Sequence, residues 1–556
     1  MQVVETAGTP EPDWVSKMAD EVIEAAARRS PGGKIVCASG LSPSGPIHLG
    51  NLREVMTPHL VADEIRRRGH DCDHLISWDD YDRFRRVPAG IDPAWQEHVG
   101  KPLSAVPAPF GSPYDSWADH FKAPMIAALE ELGVPYRGIS QTEMYTGGAY
   151  RDQVLLAMRD RQKIDGILGR FRTKKKDAPD VDSDDGEDVV TSAEYFPFKP
   201  YCGDCGRDDT TITAYDDDTT EMTYTCACGA GETVLLREFT RGKLVWKVDW
   251  PMRWAYEGVH FEPSGVDHSS PGSSFQVGGL IVDEVFGGEQ PIGPMYAFVG
   301  ISGQAKMSSS RGSVPTPGDA LEILEVPVLR WQFARRRPNQ AIKVAFDQEI
   351  HRLYDEWDAL ERKVAAGTAG GIETTGHVRA VSTAERELPR TPEPVAYRTL
   401  ASVVDITAGD PAQLERILAG VGATLDGARP RLDRATRWVE TYMPDDAHTR
   451  LRDEPDTALL GSLDEQDREA VAMLRDHLTD DWSLDGLTSL VYGVPKKQAG
   501  LPLDVKPTDE LKAAQRRFFV VVYQLLVGAD TGPRLPTLLL AAGPERVRHL
   551  LGGENS

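Results

Sequence analysis

The chain has 556 residues, with 62 Lys and Arg against 86 Asp and Glu, a formal charge of −24 and a hydrophobic fraction of 40%. No apolar run approaches the ~20 residues of a membrane-spanning helix. No secretory leader is visible over residues 1–33, and six cysteines in this length do not make a disulfide framework. A soluble, intracellular protein of about three or four domains is expected, and the acid surplus argues against indiscriminate coating of nucleic acid while leaving room for a local basic patch.

In chain order, residues 13–29 predict an amphipathic helix and 34–39 (KIVCAS) a short strand. A turn-rich stretch, 40–46 (GLSPSGP), leads into a helix over 47–68, and 73–78 (DHLISW) is the next strand. Strand, Gly/Pro-rich loop, helix, strand is the pattern of a right-handed βαβ unit in a parallel sheet. It continues with a helix around 114–133, a strand near 134–140 and a long helix over 149–171. Residues 174–188 carry seven acids after three lysines and read as a solvated loop. Four cysteines and β-type polar stretches at 210–215 and 221–225 follow. The α/β pattern resumes at 243–249, passes through 259–266 and a helix over 274–286, and reaches a strand over 295–302. Beyond about residue 318 strand signals give way to helical periodicity, at 319–336, 347–366, 392–406, 411–424, 428–442, 464–478, 484–492 and 507–528.

Two segments suit phosphate. Pro43-Ser44-Gly45-Pro46-Ile47-His48-Leu49-Gly50-Asn51 lies at a strand-to-helix junction, where free N–H groups attract anions. Gly45 and Gly50 let backbone approach a ligand, and His48 is placed to donate to a phosphate oxygen. The segment is neither GxxxxGK[ST] nor GxGxxG. More than 250 residues downstream, Lys306-Met307-Ser308-Ser309-Ser310 offers a cation for a leaving pyrophosphate and three hydroxyl donors. Taken singly, each also reads as an ordinary turn or a solvated serine-rich loop.

The cysteines fall as Cys202-Gly-Asp-Cys205 and Cys226-Ala-Cys228, with twenty residues between the pairs. Four thiolates suit a closed, structural tetrahedral zinc site, and a glycine after Cys205 and after Cys228 suits tight turns. The alternative is a reduced, metal-free remnant. Cys37 and Cys72 read as buried hydrophobes.

Taken together, His48-Leu49-Gly50-Asn51 and Lys306–Ser310 resemble the HIGH and KMSKS motifs of the class I aminoacyl-tRNA synthetases. The stretches 38–51 (ASGLSPSGPIHLGN), 77–85 (SWDDYDRFR), 248–254 (VDWPMRW) and 265–268 (GVDH) are similar to the class I lysyl-tRNA synthetases. Ser309 stands where the KMSKS consensus has a second lysine, a form that family tolerates. The resemblance is dense over about 13–345 and looser beyond.

That resemblance implies an α/β region followed by an all-α one. The expected boundaries are 13–171 and 243–317 for the two halves of a Rossmann-like catalytic domain and 172–242 for an insertion with a zinc-ribbon-like module. A helical connecting domain over 318–390 and a helical anticodon-binding domain over 391–556 complete the chain. It implies ATP with Mg2+, L-lysine and tRNA(Lys) as partners, and a cytoplasmic location. His48 and Lys306 would serve the triphosphate, with Pro43, Ser44, Gly45, Met307, Ser308, Ser309 and Ser310. Gly50 and Asn51 would pack beside the adenosine and Asp267 beside the ribose. His268 would face the amino acid or the α-phosphate.

Lysine needs an aromatic wall and an acid or two for its ammonium. Gly40 and Ser42 are candidates for the α-amino end, and Trp246, Trp250 and Tyr296 for the wall, although tryptophans also serve as core. Asp79 and Asp80 stand at a predicted strand end, where open α/β sheets bind ligands. Each also reads as a helix cap or as a partner of Arg83 or Arg85. Arg66–Arg68, Arg335–Arg337 and Lys343 are candidate RNA contacts or plain solvated helix faces. The competing functional readings are a class I synthetase for another amino acid, such as glutamate or arginine, and a synthetase-like paralogue that does not charge tRNA.

Overall fold

Strands that are apolar along most of their length belong in a sheet covered on both faces. Ile35–Leu41 and Cys72–Trp78 are of this kind, and they pair in parallel with Ile35 opposite Cys72 and Leu41 opposite Trp78. Arg137–Ser140 adds a third parallel strand on the far side of Cys72–Trp78. On the free side of Ile35–Leu41 the chain returns more than 200 residues later. Cys37 bridges Phe261 in parallel, Phe261 bridges Ile292, and Ser264–Gly265 pairs with Met295–Tyr296. The spatial order is therefore third, second, first, fourth, fifth, as in one half of a doubly wound sheet. The computed structural model that shows this describes residues 10–88, 90–171, 194–266, 273–302 and 314–553.

Helices cover the sheet. Trp14–Arg29 begins at Asp13, whose carboxylate accepts from the Ser16 N–H, and it packs on Leu52–Arg67. Leu52–Arg67 is buried at twelve of its sixteen residues, and Trp117–Glu131 is capped by Ser116. The expected helix over 149–171 is two, Arg151–Arg159 and Arg161–Gly169, with Asp160 between them. Where the α/β pattern resumes, at 243–249, Gly242–Leu244 is a short strand paired antiparallel with Phe198–Pro200, and Trp246–Glu257 is a helix despite Pro251. The expected strand over 295–302 is two short ones, Met295–Tyr296 and Val299–Ser302. The second of these pairs in parallel with Ile342–Ala345, a strand inside the region expected to be helical.

The cysteines flank and enter a three-stranded antiparallel meander, Thr210–Tyr215, Glu221–Cys226 and Gly231–Leu235. Beyond Ala345 the described elements are helical, and they include Gly371–Val381, Leu535–Ala542 and Pro544–Leu550 in addition to those expected. No described helix is long and apolar enough to cross a membrane.

One buried ion cluster joins the helical region to the elements that precede it. Arg431 donates to Glu325 at 2.6 Å and to Asp358 at 2.8 Å, and its guanidinium lies 5.0 Å from the Tyr354 ring centre. Removing the cation leaves two acids without it in a closed setting. Arg431→Ala is expected to destabilise the fold by about 3–5 kcal/mol, read as a lower denaturant midpoint by circular dichroism.

Candidate active site

A cavity of about 450 Å³ opens where the first and fourth strands part, at their carboxyl ends. Gly40, Ser42, His48, Gly50 and Asn51 line it from the first strand and the turn that follows. His48 precedes the short 3-10 turn Leu49–Asn51 that leads into Leu52–Arg67. Its ring lies over Gly50, where a Cβ would come within 2.8 Å of the imidazole, so a larger residue would displace the ring. Desolvation lowers the His48 pKa below its ordinary 6.5, which leaves a neutral donor near pH 7. The Leu49 N–H donates to the Pro315 carbonyl at 2.7 Å. That bond ties this turn to the chain just after 303–313, the segment that carries Lys306.

Pro43, Ser44 and Gly45 form the turn before the rim and are not among the residues lining the cavity. The Ser44 carbonyl accepts from Trp117 Nε1 at 3.2 Å. Lys306, Met307, Ser308, Ser309, Ser310, Asp267 and His268 lie outside the described residues.

Trp246, Trp250 and Tyr296 all line the cavity. Trp246 stacks on Trp250 with centres 5.2 Å apart and planes at 15°. Trp254, one further helical turn along, belongs to the same wall; the spacing 246, 250, 254 puts three indoles on one face. Tyr296 donates to Glu54 at 3.2 Å.

The two neighbouring aspartates part company. Asp79 lines the cavity and accepts from Arg253 at 2.6 Å, so its partner is neither Arg83 nor Arg85. Burial raises the Asp79 pKa to about 7, with Arg253 opposing and Asp82 adding to the shift. Asp80 is buried away from the cavity. One of its oxygens accepts from the Thr142 N–H and hydroxyl at 2.8 and 3.0 Å, and the other from Lys122 and Ser140 at 3.0 and 2.8 Å. Both oxygens are thus satisfied by Lys122 and the start of Gln141–Thr146, whose N-cap is Ser140, and Asp80 is not among the residues lining the cavity.

Three functional candidates were not singled out from sequence. Arg253 lines the cavity and is held by Asp79 and Asp249, while Lys243 faces Asp249 at 3.3 Å and also meets Asp82. Glu54 lines it from the first turn of its helix and accepts from the Gly40 N–H at 3.1 Å; burial raises its pKa to about 8. Glu262 lines it from the fourth strand. The i, i+4 run of tryptophans, with Asp249 and Arg253 at the same spacing, was the available signal for that helix face.

The cysteine cluster is a separate feature. The four Sγ atoms lie within 4.8 Å of one another, with Cys205 to Cys226 at 3.6 Å and Cys202 to Cys228 at 3.7 Å. Gly206 and Gly229, each just after a cysteine, adopt φ of +73° and +94°, which glycine takes without strain. The module rests on the catalytic side through Tyr201 to the Tyr81 carbonyl at 2.7 Å and the Asp208 N–H to the Gly100 carbonyl at 2.8 Å.

Of the basic clusters, Arg66–Arg68 is engaged internally. Arg66 donates to the Cys72 carbonyl, Arg67 pairs with Asp63, and Arg68 pairs with Asp20 and Glu64. Arg335 pairs with Glu356 and lies 3.8 Å over Trp331, Lys343 pairs with Glu349 at 3.1 Å, and Arg336 and Arg337 are exposed.

Residues 12–385 match the family described as tRNA synthetases class I (K). The chain is 63% identical to the lysine–tRNA ligase of Streptomyces coelicolor, over 97% of this chain and 98% of that protein. It is 33% identical to the lysine–tRNA ligase of Thermococcus kodakarensis, over 96% and 98%. It is 31% identical to that of Treponema pallidum, over 97% and 98%.

Proposed function

The chain belongs to the class I (K) tRNA synthetases, and from that membership and the chemistry of the cavity we propose how its residues act. It is an ATP-dependent lysine–tRNA ligase. The lysine carboxylate attacks the ATP α-phosphorus, giving lysyl-adenylate and pyrophosphate. The 2′-hydroxyl of the terminal adenosine of tRNA(Lys) then takes the lysyl group and AMP leaves. Both steps run on positioning and on stabilising oxyanions, so no side-chain nucleophile is required.

The observation that carries lysine is charge. Asp79, Glu54 and Glu262 face one cavity in which Arg253, matched by two acids, is the only Lys or Arg among the described lining residues. A substrate with two ammonium groups complements that surplus. A glutamate side chain would add another carboxylate to it.

We assign His48 and Lys306 to the triphosphate, with Met307, Ser308, Ser309 and Ser310 assisting and Pro43, Ser44 and Gly45 shaping the approach. Magnesium enters with ATP. Gly50 and Asn51 would lie beside the adenosine and Asp267 beside the ribose. Gly40, Ser42 and Asp79 suit the α-amino end. Trp246, Trp250 and Tyr296 suit the stem, and His268 suits the amino acid or the α-phosphate. The helical end, with exposed cations such as Arg336 and Arg337, would engage tRNA.

The four cysteines fit zinc. Tetrahedral thiolates at the usual zinc–sulfur distance of about 2.3 Å stand about 3.8 Å apart, close to the two spacings given above. Four sulfurs leave no open position, so the ion would hold the module together and take no part in the chemistry.

Amino-acid-dependent ATP–pyrophosphate exchange over a panel of amino acids, with and without total tRNA, is expected to proceed with lysine alone. Exchange with another amino acid would sink the lysine reading, and none at all would sink the activation chemistry. Because the cavity acids must ionise to hold an ammonium, lysine KM is expected to rise as pH falls from about 8 to 6, while ATP KM moves little. A lysine KM flat over that range would remove the acids from lysine binding. Elemental analysis of purified protein should return one zinc per chain, lost in Cys205→Ser together with a lower melting temperature; a metal-free native protein would overturn the assignment.

A further inference from the structure

The four acids that line the cavity differ in what already holds them, and Glu257 is paired with Arg137 at 2.8 Å. Asp79 is paired with Arg253. Glu54 sits in the first turn of the helix that follows His48, with Gly40 N–H and Tyr296 O–H on its two oxygens. That places it at the Gly40 end of the cavity, assigned above to the α-amino group. Glu262 is 7% exposed and, like Glu54, forms no ion pair among the described residues; it differs in that both of its donors belong to the tryptophan wall. Its Oε1 accepts from Trp250 Nε1 at 3.0 Å and its Oε2 from Trp254 Nε1 at 2.6 Å.

A carboxylate has about four lone-pair directions, so two indole donors leave room for a further donor. Ala38, Leu75 and Val259 line the same cavity, and the stacked Trp246 and Trp250 provide flat apolar faces. Apolar walls and indole faces suit a butyl stem ending in a cation. Burial pushes the Glu262 carboxyl up, the two indoles and Arg253 opposing, as for an acid still lacking a close counter-cation.

We propose that Glu262 receives the lysine ε-ammonium and is the residue that selects lysine over uncharged side chains with the same butyl stem. This rests on the lysine reading above. The physical basis is asymmetric. An ammonium completes the pairing of a buried carboxylate, whereas a methyl group in its place strands that carboxylate dry.

The test compares lysine with norleucine, which keeps the butyl stem and lacks the ε-amino group, in exchange assays on the full-length enzyme with tRNA present. Glu262→Gln is expected to raise lysine KM on the order of 100-fold and to compress the lysine-to-norleucine ratio of kcat/KM by a similar factor, with ATP KM unchanged. Glu262→Asp, which keeps the charge, is expected to raise lysine KM yet retain discrimination against norleucine. A merely structural role would lower both amino acids together and leave the ratio intact, which would overturn the proposal. So would a compressed ratio in Glu54→Gln with Glu262→Gln unaffected. Wild-type protein that fails to exchange with lysine would remove the underlying reading instead.

Discussion

The rest of the structure depends on one pairing, the return of the chain to the open edge of its first strand. Ala38 N–H donates to the Phe261 carbonyl at 2.8 Å, and His260 and Phe261 N–H groups reach the Val36 carbonyl at 2.8 and 3.2 Å. These bonds join segments more than 200 residues apart. They place the fourth strand beside the first while the connecting chain leaves in opposite directions, and a crevice must open at their carboxyl ends. Glu54 and Tyr296, from opposite sides of that long separation, meet across it.

Electrostatics then give the crevice its character. Asp79, Asp82 and Asp249 face Arg253 and Lys243 in the wall, three acids against two bases, and Glu54 and Glu262 add two more carboxylates. Charges removed from water are tolerated when paired and hydrogen-bonded, and here the pairing stops short of neutrality. Burial raises the pKa values of Asp79, Glu54 and Glu262, and the cations nearby only partly oppose it at Asp79 and Glu262. Lys243 brings the base of the cysteine-bearing module into the same network, so the module and the pocket share a wall as well as a chain.

Much of this was legible from residue order. The strands expected at 34–39 and 73–78 are Ile35–Leu41 and Cys72–Trp78, and the turn bearing His48 and Gly50 stands at the rim. Trp246 and Trp250 line the cavity from a helix that residue order left unassigned. A mid-helix proline and β-favouring Val and Trp masked the i, i+4 run, and packing decided the conformation over propensity. Asp79 and Asp80 are chemically identical neighbours at a strand end. Alternation along the chain turns one into the crevice and the other toward Thr142 and Lys122. Glu54 and Glu262 carried no motif, because an acid in a first helical turn or a lone acid in an apolar strand has many ordinary explanations.

The sequence by itself determined the local chemistry. It shows which stretches are apolar enough to be central strands, where glycine lets backbone approach a ligand, and that four cysteines stand in two close pairs. Those properties depend on neighbours along the chain. The strand order, the partner of Asp79, the gathering of four acids and three tryptophans around one cavity, and the extra strand Ile342–Ala345 were decided by tertiary structure alone. They are contacts between segments far apart in sequence. Whether a buried charge is paired or left short depends on every element packed around it, and no spacing along one segment records that.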